Sequence, residues 1–573
     1  MSVLVARPLP QRRLTGQRHA LVVTSHQRLV MLLMLFAAAA VLIVGRLFYL
    51  AAFTEPATSR DAAAALVPLR ADIVDRNGEP LARTIDAWSI GVHPNRIIGD
   101  RDELARELAD LIPERDAAYF SRLLHRDVNF TYIKRRAMPD LVEQVNALGE
   151  PGIVFDREPE RLYPQSTMAA HALGFIEFSG HGARGMERAL DQRLLDPALR
   201  GDPVALSLDT RVQAAMQSEL GAAVSKFKAL AGGGVVLDVD TGEVLAMVSL
   251  PDYNPNNIAD ATEDELRNNV TQSVYELGST FKPIAVAAAI DMGVETSMSK
   301  RFDATAPIKV GRFTIHDDPG DEQWRWLNIP ETLIYSSNIA TARIADELGA
   351  ERMQEIFREL GFDTKPAIEL REKGTPIWPK YWARTTVMTT AYGHGIAVTP
   401  LHLANAYATL VNGGIWRPTT LLKVPPGQAV EGRRVLKEST SYRMRQLLRL
   451  IVMKGTGRKG DAPGFRIGAK TGTAEIAHAG GYSRHHNVST FAAAFPMDAP
   501  RYVVIAMLDS PIGLPETYGR TTAAWNAAPV VSRVIQRIGP QLGVIPDMNK
   551  DIDVSELLPL LWKSPAEKAA AGQ

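Results

Sequence analysis

A serine that precedes a lysine by three residues can carry out acyl transfer, provided the amine is able to take the hydroxyl proton. The 573-residue chain offers this pair at Ser225/Lys228, Ser279/Lys282 and Ser297/Lys300. Surroundings separate them. Ser225 falls inside a Lys-rich stretch of helical spacing, and Ser297 in the polar turn ETSMSKRF. Ser279 instead follows Gly278 in YELGSTFKPIAVAAAIDMG, ahead of a strongly apolar run. Pro283 is admissible there only in the first turn of a helix. The spacing therefore predicts Ser279 at a helix N-terminus, where free N–H groups and the helix dipole favour developing negative charge. Lys282 falls about one turn further along the same face. An apolar helix desolvates its ammonium group, which lowers the pKa and lets a neutral amine act as base.

Two further clusters complete a constellation. In ETLIYSSNIATARIA, Ser336-Ser337-Asn338 places a hydroxyl and an amide two residues apart in a short turn. The hydroxyl of Ser336 can relay a proton, and the amide of Asn338 can hold a substrate carbonyl or a lysine. In FRIGAKTGTAEI, Lys470-Thr471-Gly472-Thr473 reads as a strand. Lys470 and Thr473 supply a cation and a hydroxyl for a substrate carboxylate. Gly472 would let a substrate backbone approach the strand edge. The N–H of Thr473 could join that of Ser279 as an oxyanion hole.

Composition narrows the chemistry. There is no cysteine, so disulfides, thiolate catalysis and Cys-based metal sites are excluded. Lys plus Arg and Asp plus Glu both total 64, which gives no basic excess for nucleic acid. His394 and the His485-His486 pair lack ligand-like company and read as structural or surface residues. Neither a metal nor a cofactor is required.

The elements that must position these residues begin beyond an anchor. Residues 1–28 contain Arg7, Arg12, Arg13, Arg18 and Arg28 and no acid. An apolar run follows over 29–45, then Arg46, then LFYLAAF to Phe53. Its length suits a membrane-spanning helix over 29–53, with Arg46 at one interface. The Arg-rich tail places residues 1–28 in the cytoplasm and the remainder outside it. The overall neutrality is thus a cancellation: residues 1–53 hold six Arg, leaving 58 basic and 64 acidic groups beyond them.

Residues 54–205 read as a non-catalytic α+β module. Asn77-Gly78, between apolar flanks, predicts a type I′ hairpin turn. The texture changes near residue 206. A helix is expected over 209–230, a hairpin around Asp240-Thr241-Gly242, a mainly helical middle over 257–450, adjacent strands at 488–496 and 501–510, and a closing helix at 527–538. Such an order predicts one α/β domain over 206–546 whose sheet joins distant segments. Residues 547–573 read as a loose C-terminal tail.

The three clusters, in this order, resemble those of the class B penicillin-binding proteins. RADIVDRNGEPLA (70–82) is similar to that family's N-terminal box, with Ala71 where glycine is usual. RLYPQSTMAAHALGF (161–175) and GARGMERALD (182–191) resemble its pedestal motifs. TGEVLAMVSLPDYNPN (241–256), GHGIAVTPLHLANAYATLVNGG (393–414) and AKTGTAEI (469–476) resemble its transpeptidase domain. The resemblance implies an α/β fold: a transmembrane helix, an α+β pedestal, and a transpeptidase domain of antiparallel sheet and flanking helices with an all-helical subdomain. It implies an inner-membrane peptidoglycan D,D-transpeptidase of the division-specific branch. Ser279 would attack a D-Ala-D-Ala stem peptide with Lys282 as base, the Ser279 and Thr473 amides would hold the oxyanion, and Ser336 would return a proton to the leaving D-Ala. Asn338 would position substrate, Lys470 would supply positive field and help keep the Lys282 pKa low, and Thr471, Gly472 and Thr473 would bind substrate. An amine of a second stem peptide would resolve the acyl-enzyme. β-Lactams would acylate Ser279. Expected partners are a membrane glycosyltransferase of the FtsW type and other divisome proteins. The elongation-specific branch shares every motif and stands as the alternative. A serine β-lactamase or D,D-carboxypeptidase and a non-catalytic β-lactam sensor are the more distant ones.

Overall fold

The computed structural model describes residues 29–46, 69–85, 87–311, 313–478 and 481–563. The expected cytoplasmic tail (1–28), residues 54–68 at the start of the expected α+β module and the end of the span beyond Arg46 lie outside them. Leu29–Arg46 forms a helix of 18 residues, long and apolar enough to cross a membrane.

From Leu69 onward, two small sheets come first. One has the strand order Glu160–Leu162, Pro80–Ile85, Ile73–Val74, Val204–Ala205, with the last pair parallel. The other places Trp88–Val92 between Thr131–Ala137 and Ile153–Arg157. Helices Arg101–Leu111 and Ala117–Leu124 supply Leu108, Phe120 and Leu124 to a separate core with Ile90 and Val92. The strands flanking Asn77-Gly78 do pair, but the turn is not type I′. Only Gly78 has a positive φ, at 94°. Asp75 organises a longer turn by accepting from the N–H groups of Asn77 and Glu79 at 2.7 and 2.9 Å. The other Asp75 oxygen accepts from Thr210 N at 3.1 Å and Thr210 Oγ1 at 3.0 Å. Asn77 Nδ2 donates to Asp209 at 3.1 Å. The turn thereby grips the start of helix Thr210–Lys226, which Asp209 caps.

The main sheet has five strands: β1 (Ala231–Asp238), β2 (Val244–Leu250), β3 (Gly468–His478), β4 (Gly481–Phe495) and β5 (Tyr502–Asp509). Their order is β3-β4-β5-β1-β2, antiparallel throughout. Period-two alternation sends side chains to opposite faces. Val503, Ile505 and Met507 of β5 enter a core shared with the helical middle. Tyr502, Val504, Ala506 and Leu508 enter another with helices Thr210–Lys226 and Ala527–Ile538. Both faces are covered at β1, β2 and β5, which explains why these three strands are almost wholly apolar. The hairpin at 231–250, the strands at 488–495 and 502–509 and the helix at 527–538 all form where the sequence predicts them.

The C-terminal segment is not loose up to residue 563. Ile552, Val554 and Leu557 are buried in the first of these cores. Asn328 Nδ2 donates to the Leu560 carbonyl at 2.7 Å, and Trp562 N to Glu331 at 2.7 Å. The amphipathic content of DIDVSELLPLLW anchors it; only residues 564–573, outside the described residues, are left of the expected tail.

Candidate active site

Ser279 lies in a 3-10 turn, Gly278–Phe281, that runs directly into helix Lys282–Asp291. Pro283 occupies its first turn as the sequence requires. The turn is wedged in place. Phe281 packs on Phe357 and Phe362, and Tyr407 Oη donates to the Thr280 carbonyl at 2.9 Å. On the opposite side β3 passes so close that a Cβ on Gly472 would meet the Leu277 carbonyl at 2.4 Å. Gly472 is therefore required by the turn that bears Ser279, a reason additional to the substrate approach expected of it. β3 is nevertheless an edge strand, so one side of its backbone is free of sheet pairing.

The structure brings the three sequence clusters together. Ser336 stands in the left-handed region, φ 58°, between helices Ile329–Ile334 and Asn338–Leu348. Its hydroxyl lies 3.1 Å from Lys282 Nζ and 2.8 Å from Lys470 Nζ. Lys282 Nζ also donates to the Ser336 carbonyl, and Lys470 Nζ to the Thr471 carbonyl at 2.9 Å. Both lysines are fully buried and Ser279 is 8% exposed. Among the described hydrogen bonds Lys282 faces Ser336, and none links it to Ser279.

Burial dominates the electrostatics. Desolvation pulls Lys282 down to about 8, against an opposing pull from Asp318, Asp317 and Asp321. Desolvation, then the charge of Lys282, pushes Lys470 well below the usual lysine range. The like-charge repulsion anticipated for Lys282 thus registers on Lys470. A lysine at about 8 is about one-tenth neutral at pH 7, enough to supply a base.

The remaining site residues are placed as follows. Thr471 Oγ1 donates to Thr456 Oγ1 at 2.9 Å, and Thr473 Oγ1 accepts from Ala523 N at 3.3 Å. Asn338 Nδ2 donates to the His316 carbonyl at 2.9 Å and to Asp318 at 3.3 Å. His394 lies near enough that Asp318 and Lys282 both act on it, while burial lowers its pKa. The other Ser-x-x-Lys pairs stay outside. Ser225 is inside helix Thr210–Lys226, and Lys300 is tied to Glu295 and Glu347. A cavity of about 200 Å³ lies elsewhere, against Thr364, His402 and Trp416. No group of His, Asp and Glu side chains suited to a metal occurs among the described residues.

Sequence reasoning missed the acidic segment His316–Asp321. Asp317 is 5% exposed and accepts from Ser337 Oγ and Ile339 N. HDDPGDE reads as a solvated loop, and only the tertiary contact reveals it.

Comparison with known proteins adds to this geometry. The family model described as penicillin binding protein transpeptidase domain matches residues 232–535, and that of the penicillin-binding protein dimerisation domain matches 65–195. The chain is 42% identical over 486 residues to the probable peptidoglycan D,D-transpeptidase FtsI of Caulobacter vibrioides, covering 83% of this chain and 82% of that protein. It is 31% identical over 530 residues to the probable peptidoglycan D,D-transpeptidase PenA of Neisseria gonorrhoeae, covering 85% and 89%. It also resembles the crystal structure of penicillin binding protein 3 from Mycobacterium tuberculosis complexed with aztreonam. That match has a TM-score of 0.65 and 25% identity, and covers 84% of this chain and 98% of that one.

Proposed function

The chain belongs to the class B penicillin-binding proteins, and on that premise we propose that Ser279 is the acylated nucleophile of a peptidoglycan D,D-transpeptidase of the FtsI type, inhibited by β-lactams. One observation carries the site assignment: the Ser336 hydroxyl bridges two buried lysines, at 3.1 and 2.8 Å, beside the turn that bears Ser279.

In the forward step, neutral Lys282 takes the Ser279 proton as Oγ attacks the penultimate D-Ala carbonyl. The Ser279 and Thr473 amides hold the oxyanion. The C–N bond breaks, and the terminal D-Ala leaves with a proton passed through Ser336. An amine of a second stem peptide then attacks the ester, releasing Ser279 and forming the cross-link. Lys470, Thr471 and Gly472 bind the donor along the free edge of β3, and Asn338 orients it.

The same reading assigns residues 1–28 to the cytoplasm, 29–53 to the inner membrane, 54–205 to a periplasmic pedestal and 206–546 to the catalytic domain. The membrane segment and pedestal would meet a membrane glycosyltransferase of the FtsW type, with other divisome proteins. A labelled penicillin should attach covalently to the full-length protein, and Ser279→Ala should abolish labelling without unfolding it; labelling that persists in the variant overturns the nucleophile. Depletion that yields filaments supports the septal role, and rounded cells would assign it to elongation.

A further inference from the structure

Three features of the turn Ser336-Ser337-Asn338 need explanation. Ser336 has a left-handed backbone, φ 58°, without being glycine, a conformation that persists only when its surroundings hold it. Ser337 caps helix Asn338–Leu348 by accepting from Ala340 N at 3.1 Å. Finally, the Asn338 amide is occupied by groups of the chain itself.

The second and third lead directly to neighbouring aspartates, and Ser336 adjoins the serine that one of them holds. The Asp317 carboxylate accepts from Ser337 Oγ at 3.0 Å through either oxygen, and its Oδ1 accepts from Ile339 N at 2.9 Å. It is buried, fully partnered, and set at the positive end of the helix. Asp318 differs in every respect. It is exposed, and its contact with the turn is the 3.3 Å bond from Asn338 Nδ2.

We propose that His316–Asp321 is a two-part latch on this turn: Asp317 is a positioning residue that builds it, and Asp318 is a releasable catch that occupies the Asn338 amide until a substrate carbonyl takes it. The proposal rests on the transpeptidase reading of Ser336 and Asn338. It gives adjacent, chemically identical residues effects of opposite sign. Removing Asp317 frees Ser336 from the position in which its hydroxyl meets both lysines. Removing Asp318 frees one N–H of the Asn338 amide for the substrate, while the other stays on the His316 carbonyl. The charges acting around Lys282 are those of Asp317, Asp318, Asp321, Lys470 and His394. Asp318 is the first of the acids that favour the charged lysine. Its removal therefore also lets Lys282 lose its proton at lower pH, reinforcing the gain.

The test is the second-order rate of acylation of the full-length protein by a fluorescent penicillin, followed from about pH 6 to 9. Asp317→Asn should slow acylation about tenfold or more across the range. Asp318→Ala should speed it about two- to fivefold at pH 7 and move the acid limb to lower pH. Asp318→Asn keeps a carbonyl acceptor while deleting the charge, so it should move the limb with less gain in rate. If Asp317→Asn fails to fold, Ser337→Ala should still slow acylation, because it removes one link of the same chain. A wild-type rate in the Asp317 and Ser337 variants overturns the positioning role. An unchanged or slower rate in Asp318→Ala overturns the catch. Ser279→Ala, run beside them, separates the failures: if it still labels, the transpeptidase reading falls first; if it does not, only the latch is at stake.

Discussion

The pedestal and the catalytic site each bury a cluster of charged side chains, and they resolve the cost in opposite ways. In the pedestal, Arg70 and Arg161 flank Glu187 at 2.9 and 2.7 Å, with side chains at most 1% exposed. Signs alternate, and Asp191 extends the series through Arg70 at 2.6 Å. In the catalytic site the buried pair is lysine with lysine, and the atoms within hydrogen-bond reach are neutral serine and threonine oxygens. Opposite charges taken out of water together stay charged and fix geometry. Like charges taken out of water surrender a proton, and a group that gives up its proton near neutral pH can take another. The contrast separates a cluster whose charges are paired in place from one whose groups can exchange a proton near neutral pH.

The contrast can be broken by substitution. Lys282→Met should lower acylation by about a thousandfold or more while leaving thermal stability unchanged or raised, because it removes a charge that burial disfavours. A large loss of stability would show that the lysine holds the fold. Glu187→Gln should do the reverse, costing about 3–5 kcal/mol in denaturant unfolding while each folded molecule still takes one labelled penicillin. Two histidines sharpen the comparison with a third kind of buried group. Burial lowers both His171, whose ring bonds the Glu265 carbonyl, and His402, whose ring bonds the Thr364 carbonyl, to about 4. Their folded pKa lies below the unfolded one, so the unfolded chain binds protons first. Stability is full above about pH 6.5 and falls from there toward pH 4, by up to about 3 kcal/mol for each ring. His402→Gln should flatten part of that acid slope. The smallest effect is on rate. Acylation should rise with pH toward a limb near 8 set by Lys282, and a profile flat from pH 6 to 9 would exclude it as the base.

The candidate site residues were legible because their types are rare in company: a Ser-x-x-Lys ahead of an apolar helix, Ser-Ser-Asn at a helix junction and Lys-Thr-Gly-Thr on a strand. Strands β1, β2 and β5 were legible for a related reason, since strands buried on both faces read as unbroken apolar runs. What stayed hidden depends on contacts distant in sequence. Asp317 and Asp318 look like any solvated loop until the turn at 336–338 is laid against them. Glu331 gives no sign that it will gather Arg301, Arg325 and the Trp562 N–H around one buried carboxylate. At Gly472 the residue was identified, and a second, steric cause was not. The close neighbour is the Leu277 carbonyl, nearly two hundred positions earlier in the chain.

The register of the main sheet sets a timetable for its assembly. β1 lies between β2 and β5, with Asp238 opposite Tyr502, so the hairpin made first must wait for one of the last strands. Until residues 502–509 have left the ribosome, β1 offers an open apolar edge, and the Lys470 end of the site does not yet exist. Long-range pairing of this kind is slow and exposed to aggregation. The head module of the pedestal, whose core lies within residues 90–153, can close much earlier. A nascent chain therefore passes through a long interval with this one module closed and the rest of the pedestal, whose core is shared with the catalytic domain, still waiting for it, and chaperones that hold such chains would meet it in that form.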